Sequence, residues 1–320
     1  MSEATSVIKL GGSKFHIIGL QDKPLFSQFV KETQYPANLW SSNFDYLWTV
    51  SDPQSDEVLW KEVDGMLCMF KMYLKTHLSL AILPLGKGSP DKLVQVVRKC
   101  LEFCKKWNGN GKAPFVRAVN DSQVAFMSRS ADYRKHFAHT PIPGRDRHLG
   151  IQNLLTLSGR EFQNVRNCIN QFKRMHPDAV FREAAPDDRS ALLKLKQIWN
   201  ETSGQKYRVI WDDLAYSRLV TYFQQLGHLI FVVEVKGSLV GMVSGEILPH
   251  GEAWGNESKK LEPYYGLSEF MLIEFAKELR GVHPKVQLIN LGMDAGEGLR
   301  TYKDKYRPVL NAERFRMYLK

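Results

Sequence analysis

In the C-terminal half of the chain, helix and strand signals follow one another in a fixed order, and that order restricts the fold more than any other feature. Pro186-Asp187-Asp188 opens a helix carrying Leu192, Leu195 and Trp199, with the acidic residues at the positive end of its dipole. Asp212 is placed to cap a second helix that stops at Gly227. Apolar runs at 229–235 and 239–247 flank Lys236-Gly237-Ser238, a hairpin signal. A helix is expected over 267–280, a buried strand over 286–291, a short helix over 298–306 and a last strand over 312–319. This is the order of an α/β (α+β) domain with a mixed sheet flanked by helices.

The N-terminal half shows the same alternation more faintly. LSLAIL at 78–83 reads as a strand. After the Pro84-to-Pro90 turn, Ser89 suits an N-cap and Pro90 the first helical position. Val94, Val97, Leu101 and Cys104 then share one helical face, and Asn108-Gly109 is a stop. The Pro-, Gly- and charge-rich segment 141–150 reads as a connection and 151–157 as a strand. A helix over 159–176, striped by Phe162, Val165, Ile169 and Phe172 and ended at Pro177, is expected to bridge two halves. With 320 residues the chain exceeds one ordinary core. The expected organisation is an N-terminal domain over 1–158, a bridging helix over 159–177 and a C-terminal domain over 178–320 that carries the site.

The apolar fraction of 43% and charged fraction of 24% argue against disorder. No apolar run approaches the ~20 residues of a bilayer span, and Met1 to Leu10 lacks a signal-peptide pattern. The expectation is a soluble, cytoplasmic protein with no integral membrane association. Cys68, Cys100, Cys104 and Cys168 lack zinc or redox spacing and read as buried reduced thiols. A net charge of +10 admits phosphate-rich partners without choosing among them.

Particular residues carry a family resemblance over nearly the whole length. They are Asn38-Leu39-Trp40, Pro84-Leu85-Gly86 and Arg166 to Phe172 in the first half. In the second they are Tyr264-Tyr265-Gly266-Leu267 with Glu269, then Asn290-Leu291-Gly292-Met293-Asp294, followed by Gly296, Arg300, Lys303, Tyr306 and Pro308. In these the chain resembles the soluble relatives of the C-terminal catalytic domain of phosphatidylglycerol lysyltransferases, which are tandem-GNAT proteins akin to aminoacyl-tRNA-dependent transferases. The resemblance implies two GNAT-like domains and an acyltransferase, specifically an aminoacyltransferase drawing on aminoacyl-tRNA. Gly292 is a departure, since relatives often carry a carboxylate there.

Acyl transfer needs a polarised carbonyl, a deprotonated nucleophile and a grip on the donor's phosphates. The candidate catalytic residues are Asp294, Lys303 and Tyr265, and the candidate substrate-binding residues are Asn290, Arg300, Lys259, Glu269, Arg307 and Arg166. Asp294 is a cleft carboxylate or a helix cap. Lys303 polarises a carbonyl, grips a phosphate or is simply solvated. Tyr265 donates to an oxyanion or anchors a helix start. No metal is expected, because His136 and His139 lack further ligands. No cofactor is firmly implied. Acyl-coenzyme A is the alternative donor, but the loop 259–266 has one glycine, and Pro263 lacks an N–H where a pyrophosphate would want several. The cations from Arg300 to Lys320, interleaved with Tyr302 and Tyr306, suit an unpaired RNA end or form a solvated basic face. The expected partner is tRNA, and the acceptor is a small molecule, a peptide or a lipid headgroup bearing an amine or hydroxyl. The competing reading is a non-catalytic module that binds RNA, nucleotide or peptide. Gly11-Gly12-Ser13-Lys14 and Gly86-Lys87-Gly88-Ser89 lack P-loop spacing and read as turns.

Overall fold

The computed structural model describes residues 6–206 and 212–320. The first five residues of the N-terminal segment considered above lie outside them. The chain divides into two compact units, one of 1–146 with 312–320 and one of 147–311.

The first unit begins with β1 (Val7–Leu10) and β2 (Ser13–Ile17), joined by Gly11-Gly12, both at positive φ. Then come α1 (Lys23–Glu32), α2 (Phe44–Thr49), β3 (Asp56–Val63), β4 (Met66–Tyr73), β5 (His77–Leu80), α3 (Pro90–Asn108), β6 (Phe115–Asn120), α4 (Asp121–Met127) and α5 (Ala131–His136). Strands β2 to β5 pair antiparallel in sequence order, and β6 joins β5 in parallel after α3. Ser89 caps α3 by accepting from the Lys92 N–H at 3.3 Å, Pro90 opens it and Gly109 closes it, as the sequence dictates.

The second unit follows β7 (Phe137–Gly150) with α6 (Ile151–Thr156), α7 (Gln163–Met175), β8 (Val180–Glu183), α8 (Arg189–Glu201) and α9 (Asp213–Leu226). It continues with β9 (Leu229–Val235), β10 (Ser238–Ile247), β11 (Ala253–Lys260), α10 (Leu267–Val282), β12 (Leu288–Met293) and α11 (Glu297–Asp304), and β13 (Leu310–Leu319) closes the chain. Strands β8 to β11 are antiparallel, and β12 joins β11 in parallel after α10. Each unit therefore repeats one plan: an antiparallel meander, a helix, then a parallel strand. The core of the second unit is aromatic, with Phe172 and Phe270 centred 4.9 Å apart and Trp254, Phe275 and Tyr306 fully buried. Each such ring contributes about 1.5–3 kcal/mol.

Five expectations change. The segment 151–157 forms the helix α6: Ile151, Leu154 and Leu157 are buried at helical spacing, and short apolar runs do not declare their period. Residues 141–150 belong to the strand β7, whose 146–149 end is buried. The helix expected to bridge the halves lies inside the second unit, because its Cys168, Ile169 and Phe172 stripe packs on α10. Residues 312–320 lie in the first unit, where β13 pairs antiparallel with β6. Asp212 makes no side-chain cap on α9, and its carboxylate is taken by two lysines.

Candidate functional site

Strands β11 and β12 pair only at Ala253↔Ile289 and Trp254↔Asn290. Past those pairs a cavity of about 680 Å³ is lined by residues of both strands. One wall is β11 from Gly255 to Lys260. The other is Leu291 with the Gly296-to-Lys303 stretch, and Ser268 and Leu272 of α10 form the back. A second recess of about 470 Å³ adjoins it and shares Lys260, Glu262, Ser268 and Tyr302.

The rim near α8 is a charged network. The Lys259 ammonium lies 3.0 Å from Glu257 and 2.5 Å from Asp212, and sits 4.4 Å from the centre of the Trp199 ring. Lys196 reaches Asp212 at 2.8 Å and Asp213 at 2.6 Å. Burial alone would lower the Lys259 pKa, but Glu257 and Asp212 outweigh it and raise the value. Burial alone would raise Asp212, but Lys259 and Lys196 outweigh it and hold the carboxyl below its usual range. Glu257 also donates its backbone N–H to Ser244 Oγ across the β10–β11 bulge, which fixes the wall.

The candidate residues do not form one cluster. Lys259 and Lys303 line the larger cavity, while Tyr265 and Glu269 line the recess. The Lys303 ammonium is 2.7, 2.8 and 2.7 Å from the carbonyl oxygens of Leu291, Gly292 and Met293. Its three protons cap the end of β12, so it does not project as a free cation. Asp294 is buried against Arg147, 2.5 Å away, with the Arg300 Nε at 3.8 Å, and it lines neither cavity. Asn290 is buried, and its Oδ1 accepts from the Gly292 N–H at 2.8 Å. Gly292 itself stands at φ +75°, where a carboxylate residue would be strained. Glu269 pairs with Lys305 at 2.8 Å. Tyr265 is exposed, its hydroxyl 3.3 Å from Cys168 Sγ, and this bond raises its pKa. Arg166 donates to the carbonyls of Leu157 and Gly159, and Arg307 reaches that of Glu161 at 3.5 Å.

Residues that the sequence does not mark include Glu257 and Ser268 and, as cavity-lining groups, Trp199 and Tyr302. The signal was present in β11, where Glu257 and Lys259 stand two apart and so share a face. The segment AWGNESKK has no apolar alternation to mark it as a strand. Burial pushes the Tyr302 hydroxyl up to about 12, which keeps it a proton donor.

The fold has relatives. A conserved protein of unknown function from Bacteroides thetaiotaomicron VPI-5482 superimposes with a TM-score of 0.83 at 23% identity, over 98% of this chain and 100% of that one. L-PGS from Bacillus licheniformis gives 0.65 at 17%, over 93% and 91%. A tandem GNAT protein from the clavulanic acid biosynthesis pathway gives 0.51 at 9%, over 95% and 98%. A comparison with curated proteins finds no match. The meander–helix–parallel-strand plan, present in both units, is thus the tandem-GNAT fold. Residues 41–318 match the family described as "Phosphatidylglycerol lysyltransferase, C-terminal", and the chain belongs to that family, which relates it to transferases.

Proposed function

We propose that the second unit is the catalytic half of an acyltransferase that moves an aminoacyl group from aminoacyl-tRNA to an amine or hydroxyl acceptor. The observation that carries this reading is the cavity lined by residues of β11 and β12 past their pairs. It is large enough for an aminoacyl ester with its terminal nucleoside. Its lining carries Lys206 and Lys260 beside the Lys259–Glu257 pair, cations within reach of a phosphate-bearing donor. Within it, Glu257 is the carboxylate in position to take a proton from the nucleophile, and Tyr302 is the hydroxyl in position to donate to the oxyanion.

The loop before α10 supports tRNA over acyl-coenzyme A. Its glycine, Gly266, stands at φ +79°, and a Cβ there would lie 2.1 Å from the Cys168 carbonyl oxygen. That glycine therefore serves the close approach of α7 to α10, not the approach of a pyrophosphate. The Leu267 N–H is also turned back onto the Tyr264 carbonyl.

A second reading has its own support. Asp294 and Lys303 are both engaged in holding backbone and ion pairs, as expected of a scaffold that binds without chemistry. Incubation with a mixed pool of radiolabelled aminoacyl-tRNAs decides between them. Loss of one label, dependent on Glu257, supports the transferase. Retention of every label, together with tRNA binding, supports the scaffold, and turnover of acyl-coenzyme A alone overturns the donor.

A further inference from the structure

On the first unit, four rings from four neighbouring strands stand in a row. Tyr73 of β4 is the register partner of His77 of β5, and Phe115 of β6 is that of Tyr318 of β13. The ring centres are 5.7 Å apart from Tyr73 to His77, 5.5 Å from His77 to Phe115 and 6.0 Å from Phe115 to Tyr318. Strand alternation turns their neighbours Met72, Leu78, Val116 and Met317 to the opposite face, where all four are buried. The four rings themselves are only half-buried.

Cations border this row. The Arg316 guanidinium is exposed and lies 4.6 Å from the centre of the Phe115 ring, and the Lys71 ammonium is 5.2 Å from that of Tyr73. Lys112 is exposed and close enough to His77 to act on its charge. Asp56 on this side is neutralised by Lys71 at 2.9 Å. Half-exposed rings in register across a sheet, bordered by cations, present π-faces to bases and positive charge to phosphates. An apolar peptide would not call for the cations, and a duplex hides its base faces.

We propose that this face of the first unit is a stacking platform for unpaired RNA. Only the identity of the RNA in the cell rests on the proposed tRNA donor. The platform itself is tested by binding alone.

The experiment measures fluorescence anisotropy of a labelled, unpaired oligoribonucleotide with the full chain at about 50 mM salt. A duplex RNA of the same length and a polyglutamate competitor run in parallel. The unpaired probe is expected to bind more tightly than the duplex and to resist polyglutamate. Phe115→Leu and Tyr318→Leu keep apolar volume but lose the π-face. Each is expected to weaken binding by about 5-fold or more, whereas Phe115→Tyr retains it. Arg316→Gln should lower the slope of log affinity against log salt by about 1. Unchanged affinity in both folded leucine variants overturns the platform, as does equal binding of duplex or displacement by polyglutamate. Ring-dependent binding without transfer from any aminoacyl-tRNA would keep the platform and remove the donor assignment. Transfer without such binding would do the reverse.

Discussion

Arg147 holds Asp294 through its Nε, 2.5 Å from Oδ2, with both side chains almost wholly shielded from water. The same guanidinium reaches Asn311 at 2.5 Å and Asp304 at 3.1 Å, so it ties β7 to the segments on either side of α11. Removing one member of a buried pair strands the other's charge. Asp294→Asn should therefore cost about 3 kcal/mol in urea unfolding. Transfer activity per folded molecule should stay within about 3-fold of wild type, since a group outside the cavity contributes little to the chemical step. A stable Asp294→Asn protein with no activity would restore Asp294 as a catalytic group.

Lys303 poses the same kind of question at the end of β12. Each hydrogen bond from a charged donor contributes about 1.5–3 kcal/mol, and three converge here on carbonyl oxygens. Lys303→Met should thus destabilise the protein by about 3 kcal/mol or more. Lys303→Arg should not restore it, because a planar fork cannot aim three N–H groups at three converging carbonyls. Thermal unfolding of the two variants checks this, and a wild-type midpoint in Lys303→Arg would show that charge alone suffices.

The Asp212 carboxylate gives the cleft rim a defined pH response. Its folded pKa lies below the ordinary aspartate value of 3.8, because Lys259 and Lys196 outweigh the burial that would raise it. A depressed carboxylate stabilises the fold above its unfolded pKa, and this contribution is lost as pH falls through the folded value. Stability should therefore decline below about pH 4. In Asp212→Asn that part of the acid limb should flatten. Urea midpoints measured across that range test it, and parallel curves for the two proteins would remove Asp212 from the account.

What could be read from the sequence was what local chemistry decides. The caps of α3, the Lys236-Gly237 hairpin and the helices expected after Pro186 each rest on a few adjacent residues, and they stand in the structure, where β11 is added between β10 and α10. The site was less legible because its assembly is long-range. Asp294 carries the look of a cleft carboxylate at a strand end, but its partner Arg147 is far away in sequence and invisible to local reading. Glu257 and Lys259 lie on a strand whose polar sequence hides it. Gly292, where the motif departs, stands at φ +75° and presents one of the carbonyls that Lys303 binds.

The close contact of α7 with α10 depends on one position. At Gly266 a Cβ would stand 2.1 Å from the Cys168 oxygen and 3.2 Å from the Phe172 Cβ, on a backbone at φ +79°. Gly266→Ala must therefore push the helices apart or change the turn, and a loss of about 2–4 kcal/mol is expected. Differential scanning calorimetry reads this directly. A drop of less than about 0.5 kcal/mol would mean that the loop has room to move, and with it room for a pyrophosphate.

The chemistry itself is tested at Glu257 and Tyr302. Glu257 lies on the cavity wall, ion-paired to Lys259, and Tyr302 lies where the cavity meets its neighbouring recess. If Glu257 takes the nucleophile's proton, Glu257→Gln should slow single-turnover transfer by about 10²–10⁴-fold. Tyr302→Phe keeps the edge-on packing against Tyr306, whose ring centre is 5.4 Å away, and removes only the hydroxyl. As a donor to the oxyanion, that hydroxyl should contribute about 10²-fold to kcat with little change in KM, because the interaction strengthens only as charge develops. Its pKa near 12 predicts a flat pH profile for this contribution through neutrality. A Tyr302→Phe enzyme with raised KM and unchanged kcat would instead make Tyr302 a binding surface, and the oxyanion would have to find its donors among the backbone N–H groups of β11.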